Sequence, residues 1–366
     1  MAKEHIVLVS SVWDWGPGDG SILQGVYNLL PELLKYDVHF STYYTKNHDT
    51  SKNDMVKYEE LLKTAKYVVV PGTPSWVHTI HRVTWKLCMK YKKPLCFLGI
   101  GLAIPYDGDF WYGKEEFMAL RDSGLIDLIV CRDRHCHYFL NKGCGISPAK
   151  VVTLPCPAFY TFPPRDVTEK KNVVYSLANV DNIATAAADT LKGYYRHSQT
   201  IVRELRNKGA KVSIVMNDMI DDRHPFYKYF KEELFPGEEL YRFWGYKENG
   251  EVDYRNAVDA PGPKAYVDFH KDKHVYIGVR NHGALPCAGA GIPGLLLGTD
   301  LRQTLADEIP FLSRLNISRA YWKATYVLDW YDALEPVSIS KSLRKWRDSS
   351  YNRWREALKP VIERLK

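Results

Sequence analysis

The sequence holds seven cysteines but no C-x-x-C pair, an odd number scattered along 366 residues. That excludes a disulfide framework and fits a reduced, cytosolic setting. Cys131, Cys136 and Cys144 lie near His135 and His137, yet their spacing matches no zinc template. They read as small buried hydrophobes, and no metal is expected. No apolar run approaches the roughly 20 residues of a membrane span. The opening MAKEHIVLVSS enters a strand with no signal-peptide core. The expectation is a cytoplasmic protein, or one held at the inner face of the membrane. A complete G-x-G-x-x-G is missing too. Gly99-Ile100-Gly101 follows a strand, but Ile104 occupies the third glycine position and no acidic ribose partner is placed, so the segment reads as a tight turn. Internal repeats and low-complexity tracts are absent. A net charge of +7 is too modest to argue for nucleic acid, and suits anionic substrates or a membrane surface.

What is present is ordinary globular material, 45% apolar and 25% charged, in a length that suggests two domains. The 25 tyrosines and ten tryptophans fit sugar-stacking surfaces as well as packing. Residues 5 to 155 alternate strand-like and helix-like patterns, the rhythm of a mostly parallel, doubly wound sheet. Four prolines in PCPAFYTFPPR interrupt it, and a second rhythm starts at Asn172. The polar stretch from Lys247 to Pro263 reads as a loop or insertion. The expected division is an N-terminal Rossmann-like domain over 1–160, a second over 161–335, and a helical tail over 336–366. The tail, SISKSLRKWRDSSYNRWREALKPVIERLK, is basic and amphipathic. It suits a helix packed back across both domains, or peripheral attachment to a membrane.

The most informative stretch is HVYIGVRNHGALPCAGAGIP, His274 to Pro293. A short β-branched apolar run delivers Arg280 and His282 into a Gly/Ala-rich segment that reads as a helix start. Both residues would then stand at the carboxyl end of a parallel strand, where open α/β sheets place ligands. A helix N-terminus offers free N–H groups and partial positive charge to an anion. Arg280 adds a bidentate cation, and His282 a group able to move protons near neutrality. Arg132-Asp133 ends another apolar run, LIDLIVCRD, and opens a helical pattern closing at Gly143. Gly18-Asp19 closes a glycine-rich turn after the first strand, where Asp19 could orient a substrate hydroxyl or cap the helix beginning at Gly20 or Ser21.

Taken together, Gly18-Asp19, Arg132-Asp133, Arg280-Asn281-His282 and Gly291-Ile292-Pro293 resemble the polysaccharide pyruvyl transferase family, in order and approximate spacing, over most of residues 5 to 310. Three positions depart from the family pattern. Gly16-Pro17 precede the Gly-Asp where an asparagine is usual, Arg134-His135-Cys136 stand where a serine is expected, and Cys156 stands where an acidic residue is often found. The resemblance implies an α/β fold of two Rossmann-like domains facing across a cleft (GT-B-like). It also implies transfer of the enolpyruvyl group of phosphoenolpyruvate onto sugar hydroxyls of a glycan or lipid-linked saccharide, as a ketal. In that reading His282 is catalytic, and Arg280, Arg132, Asp19, Gly18, Asn281 and Gly283 bind substrate. No cofactor is needed, and a homo-oligomer is compatible. A glycosyltransferase using a nucleotide-sugar, or a catalytically silent carbohydrate-binding relative, would share the architecture.

Overall fold

In the computed structural model the described residues are 4–10, 17–34, 38–44, 52–72, 79–101, 114–177, 188–216, 225–242, 261–279, 281–298, 301–317 and 322–365. They build two units. The first comprises Met1–Asp14, Asp19–Thr161 and Asp348–Lys366, the second Trp15–Gly18 and Phe162–Arg347.

In the first unit, strands β1 (Glu4–Ser10), β2 (Val38–Tyr44), β3 (Tyr67–Pro71), β4 (Leu95–Ile100), β5 (Ile126–Cys131) and β6 (Val151–Thr153) form one sheet in the order β2-β1-β3-β4-β5-β6. Every pairing is parallel. Its helices are α1 (Pro17–Leu34), α2 (Lys52–Thr64), α3 (Thr79–Tyr91), α4 (Lys114–Ser123) and α5 (Arg134–Tyr138). Strands YVVVP and LCFLGI are buried along their whole length. That is why they read as continuous apolar runs rather than alternating ones: helices cover both faces of such a sheet.

The second unit repeats the scheme with β7 (Asn172–Leu177), β8 (Lys211–Met216), β9 (Leu240–Arg242), β10 (Val275–Gly278), β11 (Gly294–Gly298) and β12 (Leu312–Asn316). Their order is β12-β11-β10-β7-β8-β9, again all parallel. Helices α6 (Ala188–Asn207), α7 (Pro225–Tyr229), α8 (Pro261–His270), α9 (Asn281–Ala290) and α10 (Ala324–Asp332) accompany it. The tail is α11 (Pro336–Ala357) and α12 (Lys359–Leu365). Two Rossmann-like α/β lobes with a helical tail are therefore the architecture of this chain.

Two sequence readings need correction. Gly18 and Asp19 are not a turn before the helix, because α1 already begins at Pro17. Proline is at home in the first helical turn, where its missing N–H would be unpaired anyway, and an aspartate there complements the helix dipole. The loop expected up to Pro263 gives way at Pro261 to helix α8, whose Pro-Gly-Pro start disguises it; residues 243–260 lie outside the described residues.

Candidate functional site

At the end of β5 the backbone N–H of Arg132 still donates to Ile100 O at 2.8 Å, so the parallel ladder delivers this residue to the carboxyl edge of the sheet. Asp133 follows in extended conformation and caps α5, its Oδ1 accepting from the Cys136 N–H at 2.8 Å. Both side chains are buried, each 1% exposed. Among the described residues none of the three guanidinium nitrogens of Arg132 has a hydrogen-bond partner. Removing a cation from water without compensation is among the costliest things a fold can do. An arginine held this way is suited to an anion that supplies the missing acceptors.

The cysteines around it are packing groups. Cys131, Cys136 and Cys144 are buried thiols, and burial pushes Cys136 up and Cys144 up to about 11. Neither ionises readily.

In the second unit the strand order reverses between β7 and β10, and β10 leads toward helix α9. Open α/β sheets bind ligands at such switch points. Asn281 is the first residue of α9 and is buried, 6% exposed. His282 lies in the first helical turn; its side chain, and all of Arg280, lie outside the described residues. Gly283 sits directly over the Tyr276 ring, where a Cβ would approach the phenol oxygen. Its missing side chain lets the first turn of α9 rest on β10.

The far end of α9 is tied down. Gly291, at φ 89°, stops the helix, with Gly291 N–H donating to Ala288 O and Ile292 N–H to Cys287 O. This pair of bonds is the Schellman arrangement, which explains why glycine, an apolar residue and then proline follow the helix. Arg347 Nη1 donates to Gly289 O at 2.7 Å, and the Arg165 N–H to Ala290 O at 2.9 Å. A cation at the carboxyl end offsets the helix dipole there. Nothing in the sequence marks this, because Arg347 stands 58 residues from its acceptor.

Of the remaining histidines, His270 is fully buried among Phe162, Tyr266 and Phe269, with Nδ1 at 2.7 Å from Tyr266 O. Burial pushes it down to about 3, so it stays neutral. It is a core residue.

The fold is shared with sugar-nucleotide enzymes. A protein assigned as a UDP-N-acetylglucosamine 2-epimerase of Listeria monocytogenes aligns over 99% of this chain and 97% of its own, with TM-score 0.60 and 14% identity. Anabaena HepE, solved in complex with UDP, aligns over 97% and 99%, with TM-score 0.51 and 7% identity. The UDP-GlcNAc 2-epimerase of Methanocaldococcus jannaschii aligns over 95% and 99%, with TM-score 0.53 and 11% identity. At these identities the likeness is one of fold. No curated protein matches the sequence. The model of one family does match, over residues 17–300, and on that match the chain belongs to the polysaccharide pyruvyl transferase family.

Proposed function

We propose that the protein transfers the enolpyruvyl group of phosphoenolpyruvate to a pair of sugar hydroxyls, forming a cyclic ketal on a glycan or lipid-linked saccharide. The observation that supports this reading best is the buried guanidinium of Arg132, whose nitrogens have no partner among the described residues. A donor with both a carboxylate and a phosphate supplies the acceptors such a cation needs. Arg280 is the second cation of this reading. The first turn of α9 offers its free N–H groups to the departing phosphate.

The chemistry balances without a redox step. The methylene carbon of the donor takes a proton, and the adjacent carbon becomes electrophilic and accepts the first sugar hydroxyl, which loses its proton. The second hydroxyl bonds to the same carbon as the C–O bond to phosphate breaks, and its proton leaves with the departing inorganic phosphate. His282 is assigned the proton transfers, because imidazole both gives and takes protons near neutrality. Asn281, Gly283, Gly18 and Asp19 are assigned to substrate contact in the same reading.

A second reading is favoured by the shared fold, and more strongly than the first: the aligned structures act on or hold uridine nucleotides. In it the donor is a nucleotide-sugar, and Arg132 meets its diphosphate. One experiment separates the two. Phosphoenolpyruvate and UDP-N-acetylglucosamine are titrated separately into the protein by calorimetry, and each is then incubated with saccharide acceptors and the products analysed by mass. Binding of phosphoenolpyruvate with release of inorganic phosphate and a pyruvyl mass increment supports the first reading. Binding and turnover of the nucleotide-sugar alone overturns it in favour of the second.

A further inference from the structure

We infer that Gly101, at the end of β4, is a positioning residue that fixes where the Arg132 guanidinium points, an inference that rests on the anion-binding reading of Arg132. Gly101 is buried and follows Ile100, whose carbonyl receives the Arg132 N–H at 2.8 Å. A Cβ at position 101 would lie 2.3 Å from Arg132 Nε, 3.0 Å from Arg132 Cγ and 2.8 Å from Asp133 Oδ2. The two arginine atoms belong to the root and elbow of its side chain, not to its flexible tip. The side chain therefore cannot bend its end away and keep its course. The carboxylate on the other side is held as well, since Asp133 Oδ1 accepts the Cys136 N–H that starts α5. Arginine and aspartate thus pack against bare backbone, and the absent side chain of Gly101 is the space they use.

A guanidinium is a planar fork, so its value to an anion depends on orientation as well as charge. A methyl at position 101 leaves the charge in place and turns the fork. Misplacement of a binding group by about 1 Å commonly costs on the order of 10²-fold in catalysis. The expected phenotype of Gly101→Ala is accordingly that of a mis-aimed arginine, weakened donor binding in a folded protein.

The test is a cycle of Gly101→Ala, Arg132→Ala and the double variant, read by calorimetric titration of phosphoenolpyruvate and by thermal unfolding. Gly101→Ala is expected to weaken phosphoenolpyruvate roughly 10- to 100-fold. Arg132→Ala is expected to weaken it at least as much, and the double variant no further. In unfolding, Gly101→Ala should lower the midpoint in the wild-type background and less beside Arg132→Ala, because both arginine atoms it meets are then gone and only Asp133 Oδ2 remains close. Losses in affinity that simply add, or a Gly101→Ala protein that binds phosphoenolpyruvate like wild type, would overturn the inference. If Gly101→Ala alone does not fold, a folded double variant supports the collision with Arg132, and an unfolded one refutes it. Wild-type protein that binds neither phosphoenolpyruvate nor UDP-N-acetylglucosamine would remove the anion-binding reading of Arg132 as well, whereas intact wild-type binding with an indifferent Gly101→Ala removes this inference alone.

Discussion

In the proposed reading single residues carry the chemistry, and each makes its own prediction. If His282 moves protons during transfer, His282→Ala should lower turnover by about 10²–10⁴-fold with folding nearly intact. A role confined to holding phosphate would instead appear in donor affinity, and His282→Gln would recover much of it. Single-turnover rates, donor affinities and thermal midpoints on both variants separate the cases; wild-type turnover in His282→Ala ends the assignment. His270 makes a prediction about pH. The unfolded chain takes up a proton at this residue as pH falls through 6.5, while the folded chain holds out to about 3. Stability is therefore complete above 6.5 and declines as the solution is acidified toward 3. From pH 7 to pH 5 this one group should remove about 2 kcal/mol. Denaturant unfolding at the two pH values should show His270→Leu with a correspondingly smaller difference than wild type. An equal pH dependence in both proteins would exclude His270 as the source.

At the scale of elements, the proposed site depends on how α9 is seated, and α9 carries a conflict. Pro286 stands inside it and has no N–H to give to the carbonyl of His282, four residues earlier. Interior proline costs a helix about 3 kcal/mol, and such costs are kept where a local departure serves function. Pro286→Ala should raise stability by about 1–3 kcal/mol and, in the proposed reading, lower turnover, because the carbonyl of His282 then gains an N–H partner from position 286. A stabilised variant with undiminished turnover would show the proline to be neutral for the site. The elements themselves were largely legible in the sequence. YVVVP, LCFLGI, VYIG and GLLLG are buried throughout, and continuous apolar runs announce strands of that kind. Three-residue β9 was not legible, since LYR carries no periodicity to read. Nor was the start of α1, where Pro-Gly-Asp-Gly has the composition of a turn. For the site, the strand-end position of Arg132 could be read from LIDLIVCRD, but its burial could not. An arginine meant for solvent and one enclosed at a sheet edge look alike until the fold closes around them.

At the scale of the whole molecule, the chain completes its first unit last. Asp348–Lys366 belong to that unit although α11 begins in the second, so the core of residues 19–161 waits for the end of the sequence. Trp354, Leu358 and Val361 are fully buried, and Leu365 is 3% exposed. These apolar side chains of the final helices pack into the protein's own core. Polar ties follow the same course: Lys66 Nζ donates to Leu365 O at 2.6 Å, Arg353 Nη2 to Thr153 O at 2.9 Å, and Arg364 pairs with Asp127 at 3.0 Å. Truncating a buried tryptophan or leucine costs about 2–5 kcal/mol each, against a total domain stability of about 5–15 kcal/mol. Deleting residues 348–366 removes three such side chains and the buried Val361 at once and should leave the first unit unfolded. Trp354→Ala alone should cost about 3–5 kcal/mol, whereas Arg364→Ala should cost no more than about 1 kcal/mol, because that arginine is half exposed and its ion pair is screened by water. Thermal unfolding and limited proteolysis of the three variants check the ordering. A truncated chain that keeps residues 19–161 resistant to protease would show that the first unit folds without its final helices.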